Sequence, residues 1–160
     1  MTTPSSQEQD RASRVPWPPI VFFSSLAGAG LLEWLAPLNL LPAWTTVRGL
    51  GWLIFALAFV IAISGIGMFR SIGTAVNPTL PASKLAQGGI YAWTRNPMYV
   101  GFSLGAFGLS LAFSSAWLLI LAILMPLILQ KLAIEPEEAY LSRRFGAEYD
   151  SYRARVRRWF

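Results

Sequence analysis

The 160-residue chain contains no cysteine and no histidine. Without cysteine it has no disulfide framework. Without either residue it has no zinc site of the Cys/His type, and no triad or general base built on imidazole. No metal site is expected. Charge is also scarce, at 13% of residues, against about 25% in soluble domains. With 54% hydrophobic residues, most of the chain is far too apolar for disorder. As a soluble monomer it would expose too much apolar surface. A single small membrane domain remains.

The few charges are unevenly placed. Arg70, Lys84 and Arg95 fall in one central segment. Lys131, Arg143, Arg144, Arg153, Arg155, Arg157 and Arg158 gather near the end, and Arg11 and Arg14 precede the first apolar run. Arg48 stands alone, and no charge lies between Asn96 and Gln130. A helix crosses a bilayer with about 20 apolar residues, so that stretch suits two short helices joined near Ser114-Ser115. The pattern predicts an all-α membrane protein with four spans, at Pro18 to Leu38, Gly49 to Phe69, Tyr99 to Phe113 and Ala116 to Lys131. The last two form a hairpin shorter than a full crossing, and Pro126 is placed to kink its second arm. With four spans, every Lys and Arg except Arg48 falls on one side, which the positive-inside rule makes cytoplasmic, both termini included. Residues 1–16 are polar, expected to be disordered, and unlike a cleaved signal because a full-length span follows. Residues 17–160 read as one membrane domain. Tryptophans near the span ends suit an interfacial belt. Glu33, inside the first span, is a functional candidate by position, although it lies close enough to an interface to reach water.

Chemistry must then lie in two polar segments. The first, from Gly65 to Tyr99, carries the turn signals Asn77-Pro78, Pro81, Gly88-Gly89 and Asn96-Pro97, and reads as a folded loop. The second begins at Glu135. Its apolar residues Leu141, Phe145, Tyr149, Tyr152 and Val156 recur every three or four positions, which predicts an amphipathic helix lying on the bilayer or covering the loop. Glu135, Glu137 and Glu138 suit a helix start, where acids favour the positive end of the dipole. They equally suit binding something cationic or rich in hydroxyls.

Gly89-Ile90-Tyr91-Ala92-Trp93-Thr94-Arg95-Asn96-Pro97-Met98-Tyr99-Val100-Gly101 resembles the isoprenylcysteine carboxyl methyltransferase motif G-x-Y-x-x-x-R-H-P-x-Y-x-G. Downstream, Glu137, Glu138, Leu141, Phe145, Gly146, Tyr149, Tyr152, Val156 and Arg158 resemble that family's C-terminal signature in order and spacing. The wider group includes phospholipid N-methyltransferases, which share Asn-Pro-Met-Tyr and paired glutamates. The resemblance covers about Leu80 to Phe160. It implies an integral-membrane methyltransferase that uses S-adenosylmethionine without a Rossmann fold, with its cofactor part at about 80–160. It implies that Tyr91, Asn96, Pro97, Met98, Tyr99, Glu137 and Glu138 line the cofactor site, with Leu85 at a contact position upstream. Arg95 would meet the cofactor carboxylate or lipid phosphates. Gly65-Ile66-Gly67 is similar in position to a Gly-x-Gly of the phospholipid enzymes, and glycines also serve helix packing in membranes. Asn96 stands where the motif has His, and Ala86-Gln87 where the prenylcysteine enzymes often show Val-Thr.

The expected partners are the lipid bilayer and an amphipathic or lipid-like acceptor entering laterally; no nucleic acid is expected. A prenylcysteine carboxylate is favoured, with a phospholipid amine or a small thiol as alternatives. Methyl transfer needs alignment and desolvation more than a strong acid or base, so the missing histidine does not exclude it. A noncatalytic membrane scaffold or carrier is the contrasting expectation, and it predicts no cofactor binding.

Overall fold

The computed structural model describes residues 17–38, 41 and 43–159. The stretch expected to be disordered, 1–16, lies outside them. Among the described residues every regular element is helical. Helix α1 is Trp17–Leu35, α2 is Thr45–Ile72, α3 is Pro97–Phe113, and α4 is Ala116–Leu129. A π-helical turn, Gln130–Ile134, leads directly into α5, Glu135–Phe145. Helix α6 is Ala147–Arg155, and a short 3-10 turn, Gly89–Ala92, lies between α2 and α3. Among the described residues three helical stretches are long and apolar enough to cross a bilayer, and α3 is a shorter apolar helix. The protein is an all-α integral membrane protein.

Helix α3 is the centre of the bundle, and its two faces differ. Toward α2 it presents glycine. A Cβ on Gly108 would lie 2.6 Å from the Phe55 nitrogen, and one on Gly101 would lie 2.8 Å from the Ala58 oxygen. In return, a Cβ on Gly51 would lie 2.4 Å from the Ala112 nitrogen. Small residues let two membrane helices meet backbone to backbone, where dispersion replaces the absent hydrophobic drive. Toward α1 and α4, α3 presents Tyr99 and Ala106, which pack with Val21, Phe22, Leu121, Met125 and Leu129. Phe22 stacks on Phe102 with ring centroids 4.7 Å apart.

The expected turn at Ser114-Ser115 is present. Ser114 takes a left-handed φ of 55°, and the Ser115 hydroxyl accepts from the Leu118 N–H at 3.3 Å, capping α4. The same hydroxyl donates to the Glu33 carboxylate, and the Trp117 indole donates to the Ala36 carbonyl at 2.9 Å. Glu33 therefore clamps the end of α1 to the α3–α4 turn. Trp34, Trp44 and Trp93 are largely exposed, as a belt requires.

The first three spans differ from the expected bounds by two to four residues at some ends, and two larger differences lie in the C-terminal part. The fourth span does not stop at Lys131, because the helix continues without a break to Phe145. Pro136, which lacks an N–H and crowds the preceding turn, lies two positions beyond the end of the wider π turn. The amphipathic segment is not one helix. Gly146, with φ of 51°, breaks it into α5 and α6. Its apolar face survives the break, with Tyr149 and Tyr152 both buried.

Candidate active site

Helix α2 ends at Gly73, whose φ of 71° suits glycine. The loop beyond it is pinned from several directions. Thr74 Oγ1 accepts from the Ser83 and Lys84 N–H groups at 3.1 and 3.3 Å. The Ser83 hydroxyl donates to the Gly73 carbonyl at 3.0 Å. From α5, Tyr140 Oη accepts from the Ala82 N–H at 2.9 Å. From α6, Glu148 accepts from the Gln87 amide at 2.8 Å. Tyr152 Oη donates to the Tyr91 carbonyl at 2.8 Å. The amphipathic segment thus covers the loop.

Between loop and cover lies a cavity enclosing about 690 Å³ with its open mouth. Phe69 and Tyr91, stacked at 5.1 Å, form one wall. Lys84, Leu85, Arg95, Asn96, Glu137, Glu138 and Tyr149 are among the other residues that line it. Among the described residues, the buried Tyr91 Oη, Tyr149 Oη and Arg95 Nε have no hydrogen-bond partner. Burial, with the nearby Glu137 charge, pushes the Tyr91 phenol well above its ordinary range. Burial, with Glu138 next in effect, pushes Tyr149 up to about 12. Both therefore remain neutral hydroxyls that donate and accept. Buried polar atoms normally find partners, so two orphan hydroxyls on residues that line one cavity fit a polar ligand.

A second cavity, of about 780 Å³ with its mouth, lies beside the first and is mostly apolar. Its walls are Pro18 and Pro19 of α1, Ile66 of α2, and Met98, Tyr99 and Phe102 of α3. The two cavities share Val76, Asn77, Pro78 and Glu137. Tyr99 Oη donates to Glu137 Oε2 at 2.7 Å. Five of the eight expected cofactor residues, Leu85, Tyr91, Asn96, Glu137 and Glu138, border the polar cavity. Met98 and Tyr99 border the apolar one, and Pro97 borders neither. Pro97 and Met98 instead pack on Gly65, whose Cβ would lie 3.0 Å from Met98 Cγ and 3.3 Å from Pro97 Cγ.

The three glutamates have three different settings. Glu135 pairs with Lys131 at 2.9 Å across one helical turn. Glu138 accepts from Arg95 at 2.8 Å and from Arg158 at 2.6 Å. Glu137 has Tyr99 as its hydrogen-bond partner among the described residues. Arg95 lines the first cavity, and its Nη atoms are engaged elsewhere. It donates through Nη1 to the Arg153 and Val156 carbonyls, both at 3.0 Å, and through Nη2 to Glu138. Asn96 lends its amide to the Arg158 carbonyl at 3.0 Å. The Thr94-Arg95-Asn96 stretch of the motif therefore grips the C-terminal strand of the cover.

Sequence reading alone missed three features of the site: the orphan hydroxyl of Tyr149, the Asn77-Pro78 wall between the cavities, and the part of α1 in the second cavity. Tyr149 was legible as an apolar-face residue, but nothing in the spacing separates a packed tyrosine from one facing a cavity.

A family model described as phospholipid methyltransferase matches residues 46–148. Over 75 residues, 45% of this chain, the sequence is 39% identical to the Protein-S-isoprenylcysteine O-methyltransferase of Schizosaccharomyces pombe. That match spans 30% of the yeast protein's length.

Proposed function

Since the chain belongs to the phospholipid methyltransferase family, we propose that it transfers methyl groups from S-adenosylmethionine to an amphipathic or lipid-like acceptor. One observation carries this reading: a cavity with a mixed polar and apolar lining adjoins a mostly apolar one, and the two share Glu137. A charged, water-soluble cofactor suits the first, and an acceptor drawn laterally from the bilayer suits the second. When bound, the cofactor supplies a methyl group already activated on a sulfonium.

The chain's own residues then bind, align and exclude water. Glu137 accepts hydrogen bonds from the cofactor ammonium or ribose hydroxyls, and such charge-assisted bonds are strong. The Tyr91 and Tyr149 hydroxyls take up polar groups. The Phe69–Tyr91 stack offers an aromatic wall, and Leu85 and Asn96 border the same space. Tyr99 holds the shared acid, and Met98 faces the acceptor side. Pro97 seats α3, and Glu138 orders the cover. Both termini and the site face the cytoplasm on this reading, because the positive charges lie at that end.

A prenylcysteine carboxylate is the favoured acceptor, in line with the name of the yeast relative. It arrives deprotonated and needs no base, which suits a chain without histidine. The family description supports a phospholipid amine as the alternative. A small thiol also fits the chemistry.

Calorimetry of the full chain in detergent with S-adenosylmethionine or its demethylated product tests the cofactor. A labelled-methyl assay against membrane extracts then identifies the acceptor. No heat of binding from a well-folded preparation overturns the enzyme reading and leaves a noncatalytic scaffold or carrier.

A further inference from the structure

The polar cavity has four charged residues in its wall: Lys84, Arg95, Glu137 and Glu138. Two of them are paired with each other, and Glu138 is shared with Arg158 of the tail. Arg95 and Glu138 are paired at 2.8 Å, with side chains only 10% and 13% exposed. The Nη donors of Arg95 are committed to Glu138 and to two tail carbonyls. The other two are uncommitted. Among the described residues, Glu137 is held by a neutral phenol and by no cation. The Lys84 ammonium has no side-chain partner among the described residues. The cavity therefore carries one unpaired acid and one unpaired base.

The position of Lys84 is well fixed even though its side chain is exposed. Its own N–H and that of Ser83 bond to Thr74 Oγ1. Ala82 is held from both sides, its N–H by Tyr140 and its carbonyl by Arg144. Gln87 is held by Glu148 and Arg155. Both flanks of Lys84 are thus anchored to other elements, and the ammonium moves on a tether whose root does not.

We infer that Lys84 is the recognition residue for the carboxylate of the cofactor's amino-acid end, with Glu137 receiving the ammonium of the same end. The inference rests on the cofactor reading above. A zwitterion is matched by one acid and one base; the Arg95 guanidinium is ion-paired to Glu138 and tied through its Nη atoms to the tail, whereas the Lys84 ammonium in the same wall has no ion pair among the described residues. Arg95, the sequence candidate for this contact, serves the cover instead.

The test compares two ligands on the full chain by calorimetry in detergent. S-adenosylhomocysteine carries the amino-acid end, and 5′-methylthioadenosine lacks it. Lys84→Met is expected to weaken S-adenosylhomocysteine by about 5- to 20-fold, allowing for the exposure of the lysine, and to leave 5′-methylthioadenosine unchanged. Lys84→Arg is expected to restore most of the affinity. Unchanged S-adenosylhomocysteine binding in Lys84→Met overturns the inference alone. So does an equal loss for both ligands, which would place Lys84 in the fold rather than at the ligand. If the native chain binds neither ligand, the cofactor reading itself fails, and this inference fails with it.

Discussion

Glu138 lies 2.8 Å from the Arg95 guanidinium, so the acid beside the shared acid Glu137 belongs to the cover. Neighbours in sequence thus do different work. One turn of helix aims Glu137 at Tyr99 and the cavities, and Glu138 at Arg95 and Arg158. Removing Glu138 leaves a largely buried guanidinium without its counter-charge, which typically costs about 3 kcal/mol or more. Glu138→Ala is expected to lower the thermal midpoint by several degrees and to expose residues 153–158 to limited proteolysis. Glu137→Ala is expected to lower the midpoint less than Glu138→Ala and to keep the protease resistance of residues 153–158, while losing cofactor affinity. Equal destabilisation by the two variants would refute this division.

Tyr99 offers a finer test of the shared acid. Its hydroxyl is the one hydrogen-bond donor to Glu137 among the described residues, and its ring lines the apolar cavity. Tyr99→Phe keeps the ring and removes the donor. Loss of a hydrogen bond to a charged group is worth about 1.5 to 3 kcal/mol. Methyl transfer is expected to fall by about tenfold or more, with the fold retained as judged by circular dichroism. An unchanged rate would show that the carboxylate does not depend on this phenol for its placement.

The packing of α2 on α3 predicts opposite results for two glycines. A methyl at Gly108 would meet the Phe55 nitrogen at 2.6 Å and the Gly51 oxygen at 2.8 Å, both backbone atoms. Relief requires the helices to part, at about 1 to 3 kcal/mol or more. Gly67 has nothing within 4 Å of the same added atom. Gly108→Ala is expected to reduce the yield and thermal stability of the detergent-extracted protein. Gly67→Ala is expected to be neutral or slightly stabilising through helix propensity.

The same glycines show what a sequence reader can and cannot extract. Gly51, Gly101 and Gly108 are visible as small residues in apolar runs, but which helix each one meets depends on the crossing, not on composition. Charge position was more informative: it separated the spans and located the polar end, because each buried charge carries a large desolvation cost. The amphipathic face of the cover was legible from Leu141 to Val156, since its period follows from helix geometry. The break at Gly146 was not, because one glycine between two helical patterns reads equally well as a tolerated helix residue. The motif around Tyr91 and Asn96 was legible as a block, yet Arg95 turned out to hold the tail. Two of its partners are main-chain carbonyls, and a carbonyl has no sequence signature.

Asn96 is the position where this chain departs from the related motif, and its contact gives the departure a physical meaning. The side-chain amide donates to the Arg158 carbonyl at 3.0 Å, beside the Thr94 hydroxyl donating to the same oxygen at 3.1 Å. The main-chain N–H of Asn96 in turn bonds to Thr94 Oγ1 at 3.2 Å. A carbonyl gripped by two donors needs hydrogen-bond donation, not proton exchange, and an amide supplies that at every pH. Asn96→Ala removes one donor and is expected to loosen the tail by about 1 kcal/mol, read as faster proteolysis after residue 153. Asn96→Asp replaces the donating amide with a second acceptor facing the carbonyl, and is expected to loosen the tail further at neutral pH. Because the carboxyl regains a donor when protonated, the Asp variant is expected to recover part of its protease resistance on acidification, whereas Asn96→Ala is not. An Asp variant as protease-resistant as the native chain at neutral pH would show that the Thr94 hydroxyl alone holds the strand.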